Sequence, residues 1–124
     1  MDVARDIDDE KKISDADLKT LKHDFIQAME NALTVFGDRA FRKWPSHTDR
    51  LFPFNKALFE SWAFALRKAD PLRVTSEASQ IANEARAALA DQTYVDSITV
   101  ATGDVKSVRR RFEVANSIVQ AALS

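Results

Sequence analysis

The sequence predicts an all-α fold, a compact bundle of four to five helices with one or two short helical turns. Three observations carry that expectation. Apolar residues recur at spacings of three and four in several long stretches, which puts them on one face of a helix. Only 2 Gly and 3 Pro interrupt 124 residues, so long unbroken elements are expected. Strand propensity is confined to Ile98-Thr99-Val100-Ala101-Thr102, which has no second strand to pair with and reads as a loop or helix end.

Residues 1–13 mix Asp2, Asp6, Asp8, Asp9 and Glu10 with Arg5, Lys11 and Lys12, and read as a flexible acidic terminus. Residues 14–124 read as one helical domain. Ser14 followed by Asp17 imitates a capping box, with Ile13 and Leu18 as a hydrophobic staple. Leu18, Leu21, Phe25, Ala28, Met29, Ala32 and Val35 then form the inward stripe of a helix near residues 15–35, stopped at Gly37. Asp38 to Trp44 is expected to make two short helical turns ended by Pro45, followed by a loop that Leu51 and Phe52 pin to the core. Asn55 caps the next helix, whose Leu58, Phe59, Trp62, Ala65 and Leu66 place it centrally. Asp70-Pro71 opens a third long helix with the stripe Val74, Ala78, Ile81, Ala82, Ala85 and Leu89. Asp91 starts a short helix holding Tyr94, Val95 and Ile98. Thr102-Gly103-Asp104 opens the last, with Val105, Val108, Phe112, Ala115, Ile118, Val119 and Ala122 facing inward.

The chain is long enough to bury roughly 65% of its extended surface around one core. Its hydrophobic share of 45% and charged share of 30% are globular values. A formal net charge of -1 gives the whole molecule no attraction to nucleic acid or acidic membranes, though local patches remain. The absence of cysteine excludes disulfides, thiolate nucleophiles and cysteine-ligated metals. No apolar run approaches a membrane span and the acidic start is unlike a signal peptide, so a cytoplasmic protein with no membrane contact is expected.

No catalytic centre is legible, and neither a metal site nor a cofactor is expected. His23 and His47 lack the HExxH spacing and read as surface histidines. Asp8, Asp9 and Glu10 form a carboxylate cluster without the rigid support that acid–base or two-metal chemistry needs. Gly37 and Gly103 are isolated, so no phosphate-binding loop exists. Two basic segments stand out as nucleic-acid-binding candidates: Arg42 and Lys43 beside Trp44, and Lys106, Arg109 and Arg110 on the final helix. Lys106 and Arg110 share a helix face, with Arg109 and Arg111 splayed to either side. Trp44, Phe52, Phe54, Phe59, Trp62 and Phe64 read mainly as core, with Trp44 and Phe64 as the exposed exceptions.

Three further motifs carry a family resemblance. Val35-Phe36-Gly37-Asp38-Arg39-Ala40-Phe41-Arg42 resembles the FG-x-x-AFR stretch late in the helical part of GmrSD-type restriction proteins. Phe54-Asn55-Lys56-Ala57-Leu58-Phe59-Glu60 resembles a helix start in the same family. Ile98-Thr99-Val100-Ala101-Thr102-Gly103-Asp104-Val105-Lys106, followed by Arg110-Arg111-Phe112 and with Val108 and Phe112 in register, resembles its closing motif. The resemblance implies kinship with defence proteins whose ParB-like domain hydrolyses nucleotide and which sometimes add an HNH-type nuclease. This sequence has no DGQQR segment and no nuclease motif, so it corresponds only to the C-terminal helical region and inherits no catalytic residue.

Within the motifs, structural roles suffice. Asn55 can cap its helix. Thr102 can offer its hydroxyl to the free N–H groups of the last helix, and Gly103 can let the backbone turn there. Arg111, beside a buried Phe112, can ion-pair with a carboxylate on a neighbouring helix. The resulting expectation is a non-catalytic interaction module that binds a protein partner or itself. A nucleic-acid-binding accessory domain is the alternative, and a small enzyme using a histidine ranks last.

Overall fold

Ser14 starts the first helix as its spacing predicts: its hydroxyl accepts from the Asp17 backbone N–H at 3.0 Å. The computed structural model describes residues 14–124. The acidic terminus, the Asp8-Asp9-Glu10 cluster and the Ile13 staple lie outside the described residues. Helix α1 (Asp15–Phe36) ends at Gly37, whose φ of 60° suits a glycine and whose N–H reaches back to the Leu33 carbonyl.

The two helical turns expected over Asp38 to Trp44 reduce to a single 3-10 turn at Gly37–Arg39. Phe41 is the reason. Its backbone adopts φ 63°, a left-handed conformation costing a side-chain-bearing residue about 1–2 kcal/mol, and no helix passes through it. Two interactions offset that cost. The Phe41 ring packs edge-on against Phe59 at 5.0 Å and Phe54 at 6.3 Å, and its carbonyl accepts from the Asn55 N–H at 2.8 Å. Arg42 then bridges to Phe54 instead of continuing a helix. Leu51, expected to pin the loop, is exposed; Phe52 is half-buried under the Arg50 guanidinium at 4.3 Å.

The remaining helices begin where the caps predict. Asn55 accepts from Leu58 N–H at 2.9 Å to open α2 (Lys56–Leu66), and Asp70 accepts from Leu72 N–H at 3.3 Å ahead of Pro71 in α3 (Pro71–Ala88). Asp91 accepts from Thr93 N–H at 2.9 Å and opens α4 (Gln92–Ser97). Residues 98–104 form a loop, as expected, and α5 (Val105–Leu123) follows. Helix α1 packs on α2 and α3, while α5 packs on α2, α3 and α4, giving an all-α bundle. Trp62, Leu66, Val74, Ile81, Tyr94 and Val119 meet in its core. Among the described residues no helix is long and apolar enough to cross a membrane.

The α1 stripe is only half used. Ala28, Ala32 and Val35 are buried, but Leu18, Leu21 and Phe25 are 50%, 55% and 56% exposed. The α2–α3 turn explains the break. Asn31 donates to the carbonyls of Leu66 (2.9 Å) and Ala69 (3.0 Å), Gln27 donates to that of Ala69 (2.9 Å), and Lys68 pairs with Asp24 at 3.0 Å. These bonds satisfy carbonyls freed at the end of α2 and set the turn beside residues 24–31, so the first turns of α1 run past their packing partners. On α5 Ala115, Val119 and Ala122 are buried as expected, whereas Val105 is exposed and Arg111 joins the buried face.

Tyr94, the chain's single tyrosine, receives the Trp62 indole N–H on its hydroxyl at 3.4 Å. Burial pushes its ionisation above the usual 10.0. The folded state therefore holds the proton more tightly than the unfolded state. The associated stability is complete below about pH 10 and declines as pH rises through the raised folded value. Tyr94→Phe is expected to flatten that alkaline decline in denaturant unfolding. A wild-type slope in the variant would show the tyrosine is uninvolved.

Candidate functional site

The predicted basic residues separate into two situations. The Arg42 guanidinium is turned into its own loop, donating to the Phe52 carbonyl at 2.7 Å, with Lys43 half-buried beside it. Lys106, Arg109 and Arg110 stand exposed on the first turns of α5, where Asp96 and Glu113 line the same hollow. Those carboxylates dilute the positive field that phosphates need.

Trp44 is no stacking platform. The Arg86 and Arg39 guanidinium groups lie 4.2 and 4.9 Å from its ring centroid, and its indole N–H donates to Asp49 at 3.3 Å. Arg86 also donates to the carbonyls of Trp44, Pro45 and Thr48, clamping the loop to α3. Behind it, a void of about 30 Å³ between Phe36, Trp62 and Tyr94 has room for one water and no larger ligand.

Of the motif residues, Asn55 caps α2 as expected and also donates to the Ile98 carbonyl at 2.9 Å. Thr102 and Gly103 act differently from expectation. Asp104 occupies the cap position of α5 without a side-chain bond, and Thr102 contributes its main-chain carbonyl. The left-handed turn in that loop falls on Ala101 at φ 45°. Gly103 is not in that region, and a Cβ added to it would meet nothing within 4 Å.

Arg111 does pair with a carboxylate on a neighbouring helix, but from inside the protein. The residue is 4% exposed, donating to the carbonyls of Ser97 (3.2 Å) and Thr102 (2.7 Å) and to Glu60 Oε1 (3.2 Å). Its position four, eight and eleven residues before Ala115, Val119 and Ala122 was the sequence signal for that burial. Phe112, expected to be buried, is half-exposed with its ring edge-on to Phe64 at 5.5 Å.

The histidines do not converge on a site. His23 Nδ1 lies 3.7 Å from Asp24 with its side chain 72% exposed, and His47 is exposed in the loop. Lys68 already holds the Asp24 carboxylate, chiefly through its hydrogen bond, and lowers its ionisation below the usual value. Among the described residues no three His, Asp or Glu side chains cluster closely enough to hold a metal.

A large apolar concavity among the described residues is one that sequence reasoning did not anticipate: a groove of about 800 Å³ between α1, α2 and α5. The unburied part of the α1 stripe supplies one wall through Leu21 and Phe25, with Ile26 beside them. The outer face of α2 supplies Phe59, Ala63 and Phe64, and Phe112 closes the α5 side. Lys22, Asp24, Glu60 and Arg67 complete the lining. The exposure expected of Phe64 marks one edge of this groove. The rest escaped because Phe112 and Phe25 lie 87 positions apart and meet only through the bundle.

No family model, no curated protein and no solved structure matches this chain.

Proposed function

We propose that this chain is a non-catalytic helical interaction module that seats a helix of a protein partner in the α1–α2–α5 groove. The observation that carries the reading is the α1 stripe. Ala28, Ala32 and Val35 bury its second half, while Leu18, Leu21 and Phe25 continue the same face into solvent. An apolar face held open on a rigid helix, beside exposed aromatic rings, is the usual form of a helix-binding groove. Large aromatic anchors are also the side chains that concentrate binding energy. The three motifs that resemble the helical tail of restriction and defence proteins support the same reading, because in that family the chemistry belongs to other domains.

A neutral amphipathic peptide with leucines at positions i, i+3 and i+7 is a suitable probe. Titration should perturb the nuclear magnetic resonance signals of Leu21, Phe25, Phe64 and Phe112. Phe25→Glu should weaken binding roughly tenfold or more without loss of helicity, since the position is already exposed. Perturbations elsewhere, or unchanged affinity in the variant, would overturn the proposal. Nucleic-acid contact through Lys106, Arg109 and Arg110 is the second reading, favoured by their shared exposure at the start of α5.

A further inference from the structure

We infer that the helix this groove accepts carries carboxylates on both sides of its apolar stripe. The inference rests on the groove being a helix-binding site, and it follows from how the surrounding charges are spent. Asp24 is paired with Lys68 at 3.0 Å, and Glu60 is paired with Arg111 at 3.2 Å. Both carboxylates of the lining are thus neutralised by cations of this chain. Lys22 and Arg67 have no carboxylate within 4.0 Å among the described residues. Among the described residues the charge left for an incoming partner is therefore positive.

The two cations are also placed to flank an occupant. Lys22 lies next to Leu21 on the α1 wall. Arg67 follows the end of α2, its guanidinium 3.7 Å from the centroid of Phe64 and bonded to the Phe64 carbonyl at 2.7 Å. That stacking fixes a cation at the groove's edge and lowers the entropy lost when it meets a carboxylate. From Leu21 to Ala28 helix α1 rises roughly 10 Å, and from Phe59 to Leu66 helix α2 rises roughly 10 Å. Anchors at i, i+3 or i+4, and i+7 of a docked helix span the same length.

A second copy of this chain fits less well. A symmetric dimer centred on the groove brings residues near its two-fold axis against their own copies. Such an interface would hold two copies each of Lys22 and Arg67, and these cations repel one another. An acidic amphipathic helix removes that conflict.

Two peptides with the same leucine stripe, one flanked by glutamates and one by lysines, test this against the full chain at low and high salt. The glutamate peptide should bind roughly tenfold more tightly at low salt, with the preference shrinking as salt screens it. Lys22→Glu combined with Arg67→Glu should reverse the preference, and Lys22→Glu alone should reduce it; both are checked for native helicity. Equal affinities with the groove signals still perturbed would overturn the acidic preference and leave the groove reading standing. If neither peptide perturbs Phe25 or Phe64, the groove reading itself falls. A dimer in light scattering, with those signals already protected in the free chain, would assign the groove to a second copy and overturn the inference.

Discussion

Replacing Arg111 with alanine is expected to destabilise the domain by about 3 kcal/mol, lowering the thermal midpoint by roughly 10–15 °C. The guanidinium joins three elements at once: the end of α4 through the Ser97 carbonyl, the following loop through that of Thr102, and α2 through Glu60. Alanine strips the donor from two carbonyls and leaves space where the fork stood. The Glu60 side chain is 42% exposed and can return to water, so the cost lies with the carbonyls and the packing more than with the ion pair. Two controls separate these contributions. Arg111→Lys should recover little, because one ammonium cannot replace a planar fork spanning three acceptors. Glu60→Gln should cost less than Arg111→Ala, because the two carbonyl bonds persist. Circular dichroism during thermal and urea unfolding supplies the comparison. A loss below about 1 kcal/mol for Arg111→Ala would mean that water takes over the guanidinium's role.

Trp62→Ala should cost more, about 3–5 kcal/mol, which is a large fraction of the stability of a domain this size. The indole is 3% exposed, stands edge-on to Phe36 at 5.2 Å and bonds the Tyr94 hydroxyl. Truncation joins its volume to the small void already present between these rings, so neighbouring helices must collapse inward or leave a cavity. Trp62→Phe keeps most of the apolar contact and removes the N–H donor, and it should fall between wild type and alanine. Its loss would be the sum of the missing hydrogen bond and the unfilled part of the site. Equal stability of the alanine variant and the native chain would show that α2 is not the centre of the core.

The helix starts were legible because each is a local event. Ser14, Asn55, Asp70 and Asp91 accept N–H groups two or three residues ahead, and no distant residue is needed to create those bonds. The exceptions are also local in form but distant in cause. Phe41 leaves the helical region because Phe54, Phe59 and the Asn55 N–H hold it, and the sequence around Gly37-Asp38-Arg39 carries no trace of that. Nothing near Thr102 or Gly103 foretold that Ala101 would take the left-handed turn, and the structure supplies no side-chain reason for it.

Among the functional residues, the sequence singled out charges, whereas the bundle decides which charges are free. Arg42 and Arg111 share the residue type of the exposed Arg109 and Arg110, and only the spacing of Arg111 to Ala115, Val119 and Ala122 sets one of them apart along the chain. The first is drawn to the Phe52 carbonyl and the second to a carboxylate 51 positions away. Periodicity alone determined that α1 has one apolar face running from Leu18 to Val35, because that depends only on the angle between successive side chains. Tertiary structure alone decided that this face is covered from Ala28 onward and open at Leu18, Leu21 and Phe25. The α2–α3 turn fixes the boundary where its carbonyls meet Gln27 and Asn31, and beyond that point no helix among the described residues buries the stripe.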